Sequence, residues 1–130
     1  MIILTGYQGF IGQAFKKRLD PENLYRIEQS GAFDFLNQYD KWDEVEMIIH
    51  QGAISSTTET DVNKIHKYNV EFSIALFEKA IEYSIPVKYA SSASVYGKIH
   101  SEYGYLKKTI NPLNFYALSK ATVDYWVMDN

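Results

Sequence analysis

Three glycines, each separated from the next by two residues, follow a short apolar run at the start of the chain. The run is Met1–Leu4, and the glycines are Gly6, Gly9 and Gly12 in the stretch TGYQGFIG. The first glycine allows a tight turn from strand to helix, the second lets the backbone approach a ligand, and the third lets the helix pack against the strand. A helix N-terminus offers free N–H groups and partial positive charge, which suit a phosphate. The pattern predicts a strand, a pyrophosphate-binding turn and a helix; a turn that serves packing alone is the alternative.

Apolar stretches of strand length alternate with stretches of helical periodicity along the chain. The predicted strands are Met1–Leu4, Asn23–Glu28, Ala32–Phe35, Val45–Ala53 and Pro86–Gly97. The predicted helices are Phe10–Leu19, Leu36–Asp43, Asp61–Tyr83 and a last one from Leu113, after a loop over Lys98–Pro112. Such alternation is typical of a parallel sheet covered on both faces. It predicts an α/β fold of the Rossmann type, a doubly wound parallel sheet with strand order 3-2-1-4-5.

Length and composition exclude several classes of protein. The 130 residues suit one domain over positions 1–130, and a hydrophobic content of 46% suits a packed core. A net charge of −3 without a basic block gives no reason to expect nucleic acid. Without cysteine, a signal-peptide pattern or a long apolar run, we expect a soluble, cytoplasmic domain with no membrane partner. The three histidines are scattered, so we expect no metal site.

Tyr116 and Lys120 lie one helical turn apart in the stretch LNFYALSK. A phenol and an ammonium at this spacing can act as one acid–base unit, although a surface pair is the usual explanation of the spacing alone. The fifth predicted strand runs into small polar residues within Pro86–Gly97, and Ser92 is one of them, just past the C-terminal end of the strand, where open parallel sheets bind ligands.

Glu28 ends the second predicted strand, at the distance from the glycines where an acidic side chain binds ribose hydroxyls. A carboxylate there would repel a 2′-phosphate, which favours NAD over NADP. Arg26 lies nearby, with its direction left open, so the preference for NAD is slight. Asp34 either accepts a hydrogen bond from an adenine amino group or caps a strand end or helix.

Four segments in order, TGYQGFIG, HQGAISS, YASSASVYG and YALSK, resemble the extended short-chain dehydrogenase/reductase family of NAD-dependent epimerases and dehydratases. The resemblance covers nearly the whole chain. The stretch HQGAISSTTETD, His50–Asp61, is similar to the corresponding stretch of the ADP-glycero-manno-heptose 6-epimerases.

This resemblance implies a role for each matching residue. Tyr116 would be the acid–base residue, Lys120 would favour the phenolate and hold the nicotinamide ribose, and Ser92 would bind the substrate oxygen that loses a proton. The cofactor would be NAD or NADP, with NAD slightly preferred. Its implied contacts are Gly6, Gly9, Phe10, Ile11, Gly12, Glu28, Asp34, Phe35, Gly52, Ala53, Asn69, Tyr116 and Lys120.

Family members that act on nucleotide sugars are much longer and carry a C-terminal substrate domain. We therefore expect this chain to lack that domain, as a fragment, a truncated gene product or one part of a split protein. The implied function is that of a nucleotide-sugar epimerase or its dinucleotide-binding portion, without turnover by the isolated chain. A non-catalytic nucleotide-binding or regulatory module is the alternative. We also expect a homodimer built on the helices at Asp61–Tyr83 and Leu113–Asp129. The alternative is that the extra aromatic side chains of these helices faced the missing domain.

Overall fold

Four parallel strands form one sheet in the computed structural model, which describes residues 1–98 and 110–130. The strands are β1 (Ile2–Thr5), β2 (Leu24–Ile27), β3 (Met47–His50) and β4 (Val87–Tyr89), in the order β2-β1-β3-β4. In the register, Ile2 lies opposite Leu24 on one side and Met47 on the other. The predicted parallel α/β architecture is confirmed.

The sheet is buried on both faces. Neighbouring residues of a strand point to opposite faces, and the consecutive pairs Ile3–Leu4 and Ile48–Ile49 are all buried. Strands that alternate between an apolar and a polar face would leave one residue of each pair exposed. Burial of both is typical of a sheet covered by helices on both sides, as the doubly wound prediction requires.

Five α-helices accompany the strands within the described residues. They are α1 (Phe10–Arg18), α2 (Ala32–Gln38), α3 (Val62–Ile65), α4 (Phe72–Glu82) and α5 (Phe115–Asp129). A π-helical segment, His66–Glu71, joins α3 to α4, so the predicted long helix Asp61–Tyr83 is present with a widened turn inside it. The Asp61 carboxylate begins that helix by accepting a hydrogen bond from the Lys64 amide at 3.0 Å.

The predicted third strand, Ala32–Phe35, is wrong. This segment is the first part of α2, and the observed order is the predicted one without that edge strand. Ala32 and Phe35 are both buried, and their i, i+3 spacing is that of one helix face. Tyr39 continues this face, and its ring lies 4.8 Å from the ring of Phe35. The predicted helix Leu36–Asp43 is accordingly displaced, because α2 ends at Gln38 and a 3₁₀ turn follows at Trp42–Glu44.

The described residues divide into two compact units. Unit 1 comprises Met1–Ala53 and Phe72–Ala90, and unit 2 comprises Ile54–Glu71 and Ser91–Asn130. Unit 1 contains the sheet, and α5 belongs to unit 2. Most of the predicted loop Lys98–Pro112 lies outside the described residues. None of the helices in the described part of the chain is both long and apolar enough to span a membrane.

Candidate functional site

The glycine turn of unit 1 is built as its spacing predicts. Gly6 has a φ of +66°, and a Cβ on it would lie 2.7 Å from the Gly52 Cα. A Cβ on Gly12 would lie 2.0 Å from the Gly6 carbonyl oxygen. Both positions therefore exclude any side chain, Gly6 by conformation and contact and Gly12 by contact alone. The turn is closed by two backbone hydrogen bonds, from Gly6 to the Ile27 carbonyl at 2.9 Å and from Gly9 to the Gly6 carbonyl at 3.1 Å.

Gly9 differs from the other two glycines because the protein leaves room beside it. A Cβ there would meet only the Gly6 oxygen, at an ordinary 3.4 Å, and its φ of −70° suits any residue. Gly9 is also the N-cap of α1, so no capping side chain competes for the first-turn N–H groups. The first turn of α1 carries no acidic residue, and Phe10 and Ile11 within it are exposed. The helix end is therefore open to an anion.

Glu28 anchors the glycine turn. Its Oε1 accepts a hydrogen bond from the Gln8 backbone amide at 2.8 Å, across twenty positions of the sequence. The sequence left the direction of the Arg26 side chain open. In the structure this side chain lies on the side of the glycine turn, because its guanidinium is 5.6 Å from the centre of the Tyr7 ring. The Lys16 ammonium lies 5.5 Å from the same ring. Two cations thus flank the aromatic side chain next to Gly6.

Asp34 and Phe35 have different surroundings although they are neighbours. Asp34 is exposed in the first turn of α2, where its negative charge interacts favourably with the helix dipole. Phe35 is buried, and its ring contacts Tyr25 at 5.3 Å as well as Tyr39. The N-cap of α2 is Gly31, so Asp34 is not the cap that the sequence offered as one alternative.

A buried polar network that the sequence analysis missed supports Gly52. Thr5 Oγ1 accepts from the Gly52 amide at 2.9 Å and lies 2.7 Å from His50 Nδ1. The opposite ring nitrogen, Nε2, lies 2.8 Å from Ser73 Oγ. Since Thr5 Oγ1 accepts from Gly52, its own proton can go to Nδ1, which makes Nε2 the protonated nitrogen. The network joins the ends of β1 and β3 to α4 and holds Gly52 against Gly6; Ala53 follows directly.

Asn69 in unit 2 lies in the π-helical segment and is almost fully buried. Its Oδ1 accepts from the Ile54 amide at 2.7 Å, and its Nδ2 donates to the Ile54 carbonyl at 3.0 Å. Nδ2 also donates to Ser119 Oγ at 3.0 Å, and Ser119 in turn donates to the Tyr116 carbonyl at 2.7 Å. Asn69 thus fixes the backbone of the segment after Ala53 and ties it to α5. π-Helical turns are frequent at functional sites.

Tyr116 and Lys120 lie on successive turns of α5, whose N-terminus is capped by Asn114. Asn114 Oδ1 accepts from the Ala117 amide at 2.8 Å. Tyr116 is half-buried, whereas Lys120 is only 6% exposed. Burial lowers the pKa of the Lys120 ammonium from 10.5 to about 8, and the Asp124 carboxylate acts in the opposite direction.

Ser92 is the N-cap of the 3₁₀ turn Ala93–Tyr96, and Ala90 and Ser91 separate it from β4. Its Oγ accepts from the Ser94 amide at 3.2 Å and lies 2.8 Å from Ser94 Oγ. The neighbouring Ser91 donates to Asp124 Oδ2 of α5 at 2.5 Å. Ser91 and Asp124 were not among the residues predicted from the sequence. The one available signal was that Asp124 follows Lys120 at the same i, i+4 spacing that relates Lys120 to Tyr116.

The structure therefore groups the predicted site residues in two sets. In unit 1, Gly6, Gly9, Gly12 and Gly52 form one turn with Glu28 at its side. In unit 2, hydrogen bonds connect Asn69 to the backbone of Tyr116, and Ser91 connects the Ser92 turn to α5. Across residues 1–98 and 110–130, His, Asp and Glu side chains form no cluster of three or more that could hold a metal ion.

A curated relative is similar to nearly all of this chain. It is the ADP-L-glycero-D-manno-heptose-6-epimerase of Brachyspira hyodysenteriae, which is 34% identical over 98% of this chain and 48% of the relative. The chain thus spans about half the length of the curated relative it matches.

Solved structures share the fold. The ADP-L-glycero-D-manno-heptose-6-epimerase of Helicobacter pylori superposes with a TM-score of 0.74 at 22% identity, over 98% of this chain and 50% of that one. The UDP-glucose 4-epimerase of Thermus thermophilus, solved in complex with NAD, gives 0.71 at 17% identity, with coverages of 98% and 50%. The family model described as "NAD dependent epimerase/dehydratase family" matches residues 2–129. The chain belongs to the NAD-dependent epimerase/dehydratase family.

Proposed function

We propose that this chain binds a nicotinamide dinucleotide, NAD in preference to NADP, through the glycine turn of unit 1. The observation that carries the proposal is the difference between the three glycines. Gly6 and Gly12 exclude a side chain because protein atoms would meet it, whereas the space beside Gly9 is open. A glycine that the protein itself does not need there is explained by a ligand close to its backbone.

The residues around the turn fit the pyrophosphate and ribose of such a cofactor. The N-terminus of α1, where no side chain caps the helix, supplies N–H donors and partial positive charge for the pyrophosphate. Glu28 uses Oε1 to hold the Gln8 amide, which leaves Oε2 to accept from ribose hydroxyls. Arg26 and Lys16 could attract the 2′-phosphate of NADP, so the preference for NAD is slight. The NAD complex of the Thermus thermophilus relative supports this class of cofactor.

The catalytic part of the proposal rests on Ser92, Tyr116 and Lys120. When bound, an oxidised nicotinamide would supply a hydride acceptor for a substrate carbon and, once reduced, a hydride donor. The Tyr116 phenolate takes the proton of the adjoining hydroxyl, and Ser92 Oγ holds that oxygen by a hydrogen bond. A free phenol has a pKa near ~10, so it needs a nearby positive charge to act as a base. Lys120, with its pKa at about 8, carries that charge at neutral pH.

The proposed substrate class is a nucleotide-activated sugar, an ADP-heptose by preference. Support comes from the curated heptose epimerase at 34% identity and from the stretch His50–Asp61. Since the chain spans about half of that relative, epimerisation of the sugar is proposed for a protein in which this chain is joined by the other half. A cytoplasmic location and a homodimer remain predictions.

Thermal unfolding with added dinucleotide tests the binding proposal. A ligand at ~100 times its Kd stabilises the folded chain by about 2.7 kcal/mol. We expect NAD to raise the melting temperature and NADP to raise it less. Tyr116→Phe should keep this shift, because it removes only a hydroxyl group in unit 2. If neither dinucleotide at millimolar concentration moves the melting temperature, the chain does not bind this class of cofactor.

A further inference from the structure

Asp124 is a buried carboxylate that the proposed mechanism does not use. It is 7% exposed, and its Oδ2 accepts a hydrogen bond of 2.5 Å from the Ser91 hydroxyl. Both residues belong to unit 2, Asp124 on α5 and Ser91 just before the 3₁₀ turn that Ser92 begins. A buried ionised carboxylate is costly unless a positive charge or several donors compensate it. The Ser91 hydroxyl supplies part of that compensation.

The Lys120 ammonium supplies the opposite charge. It lies one turn before Asp124 on α5 and is equally buried, and the Asp124 charge acts to raise its pKa against the effect of burial. Without this carboxylate, burial alone would favour the neutral amine still more strongly. A neutral amine could not stabilise a phenolate at Tyr116, one turn further towards the N-terminus.

Within residues 1–98 and 110–130, the elements that pack against α5 carry no buried carboxylate that could take the place of Asp124. α5 contacts the 3₁₀ turn, α3 and the π-helical segment. The ionisable residues on these elements are Lys64, His66, Lys67, Tyr68, Glu71 and Tyr96. The side chains of His66 and Glu71 pair with each other at 3.4 Å on the surface, and Lys64 and Lys67 are exposed cations that would oppose a charge on Lys120.

We propose that Asp124 is a positioning residue for Lys120: its carboxylate, oriented by the Ser91 hydroxyl, is the counter-ion that keeps the buried ammonium charged. Because Ser91 adjoins Ser92, the same hydrogen bond also connects α5 to the turn that bears Ser92. The inference rests on the proposed function of Lys120, but the proposed pairing of Asp124 with Lys120 involves no ligand.

The test is an NMR titration of the lysine side chains in the full chain without ligand, using ¹⁵N- and ¹³C-labelled lysine. Lys120 is assigned from the resonance that disappears in Lys120→Arg. In Asp124→Asn, which keeps the size and the Ser91 acceptor, we expect its pKa to fall by roughly 1 unit. Asp124→Glu should restore most of the wild-type value. Asp129→Asn is the matched control, because it removes an exposed carboxylate from the same helix and should leave the Lys120 pKa unchanged.

A Lys120 pKa that is the same in folded Asp124→Asn and in the wild type would overturn the proposal. Should Asp124→Asn not fold, the wild-type protein still decides the matter. The chemical shift of the Asp124 carboxyl carbon must then change with the midpoint of the Lys120 titration, and the absence of such a change contradicts the pairing. Failure of NAD to bind would remove the proposed function and leave these titrations valid.

Discussion

The backbone amide of Gln8 donates a hydrogen bond to the side chain of Glu28 across 2.8 Å. This bond joins the glycine turn to the end of β2, so the residue expected to select the cofactor also shapes the turn that would bind it. Substitutions at Glu28 can separate the two roles, because glutamine keeps the acceptor oxygen and alanine does not.

We expect Glu28→Gln to raise the affinity for NADP relative to NAD by roughly tenfold, since it removes a negative charge from the ribose end while holding Gln8. Glu28→Ala should weaken both dinucleotides, because the turn also loses its anchor. Isothermal titration calorimetry with each cofactor gives the ratios. An unchanged ratio in Glu28→Gln would show that Glu28 does not face the 2′ position.

Alanine at Gly9 and at Gly12 should have opposite effects on folding and binding. At Gly12 the new Cβ would collide with the Gly6 carbonyl oxygen at 2.0 Å, so we expect a loss of roughly 1–3 kcal/mol in the free energy of unfolding. At Gly9 the Cβ fits at 3.4 Å, so Gly9→Ala should fold normally and lose dinucleotide binding. Urea denaturation and calorimetry measure the two effects. Full binding by Gly9→Ala would contradict the assignment of the open space to a ligand.

The Thr5–His50–Ser73 network should matter for binding through Gly52. Thr5→Val removes the acceptor of the Gly52 amide and the bond to His50 while keeping the side-chain shape, at a cost of about 2 kcal/mol. Ser73→Ala removes the bond at the other ring nitrogen and leaves the Gly52 bond intact. We therefore expect Thr5→Val to weaken NAD binding more than Ser73→Ala does, under conditions where both variants are folded. Equal weakening would mean that the network contributes only general stability.

Stability should rise with pH through the titration of Lys120. The pKa of Lys120 is about 8 in the folded chain, where the side chain is buried, and 10.5 when the side chain is exposed, as in the unfolded chain. The unfolded chain therefore binds the proton more tightly. Below pH 8 the ammonium penalises folding fully, and the penalty fades as the pH rises towards 10.5. Relative to Lys120→Met, the wild type should gain about 2 kcal/mol between pH 7.5 and pH 10. Parallel pH dependence of the two proteins in urea denaturation would place the Lys120 pKa at its ordinary value.

Local patterns allowed much of unit 1 to be predicted from the sequence. The β1 strand, the glycine turn and α1 follow one another within eighteen residues, and Gly6 and Gly12 are required by contacts inside that segment or with Gly52. The stretch Ala32–Phe35 was too short for its pattern to distinguish a strand from a helix. Its fold is decided by the buried face that Ala32, Phe35 and Tyr39 share, which extends past the four residues considered.

Polar partners that are distant in sequence could not be predicted. Ser91 and Asp124 are 33 positions apart, and Thr5 and His50 are 45 apart. Serine, threonine, histidine and aspartate occur at many solvated positions, so nothing in their local sequence marks these four as partners in hydrogen bonds. Only the packing of the strands and helices shows that they pair.

Backbone NMR of the ¹⁵N-labelled chain titrated with NAD tests the central claim most directly, because it locates the ligand residue by residue. A parallel titration with nicotinamide mononucleotide tests separately whether Tyr116 and Lys120 bind the nicotinamide end of the cofactor. We predict that NAD shifts the amide resonances of Gly6, Gly9, Phe10, Ile11 and Gly12 in a saturable way, and that Gly9→Ala abolishes these shifts. Saturable shifts confined to other parts of the chain, or none at millimolar NAD, would contradict a dinucleotide site at the glycine turn.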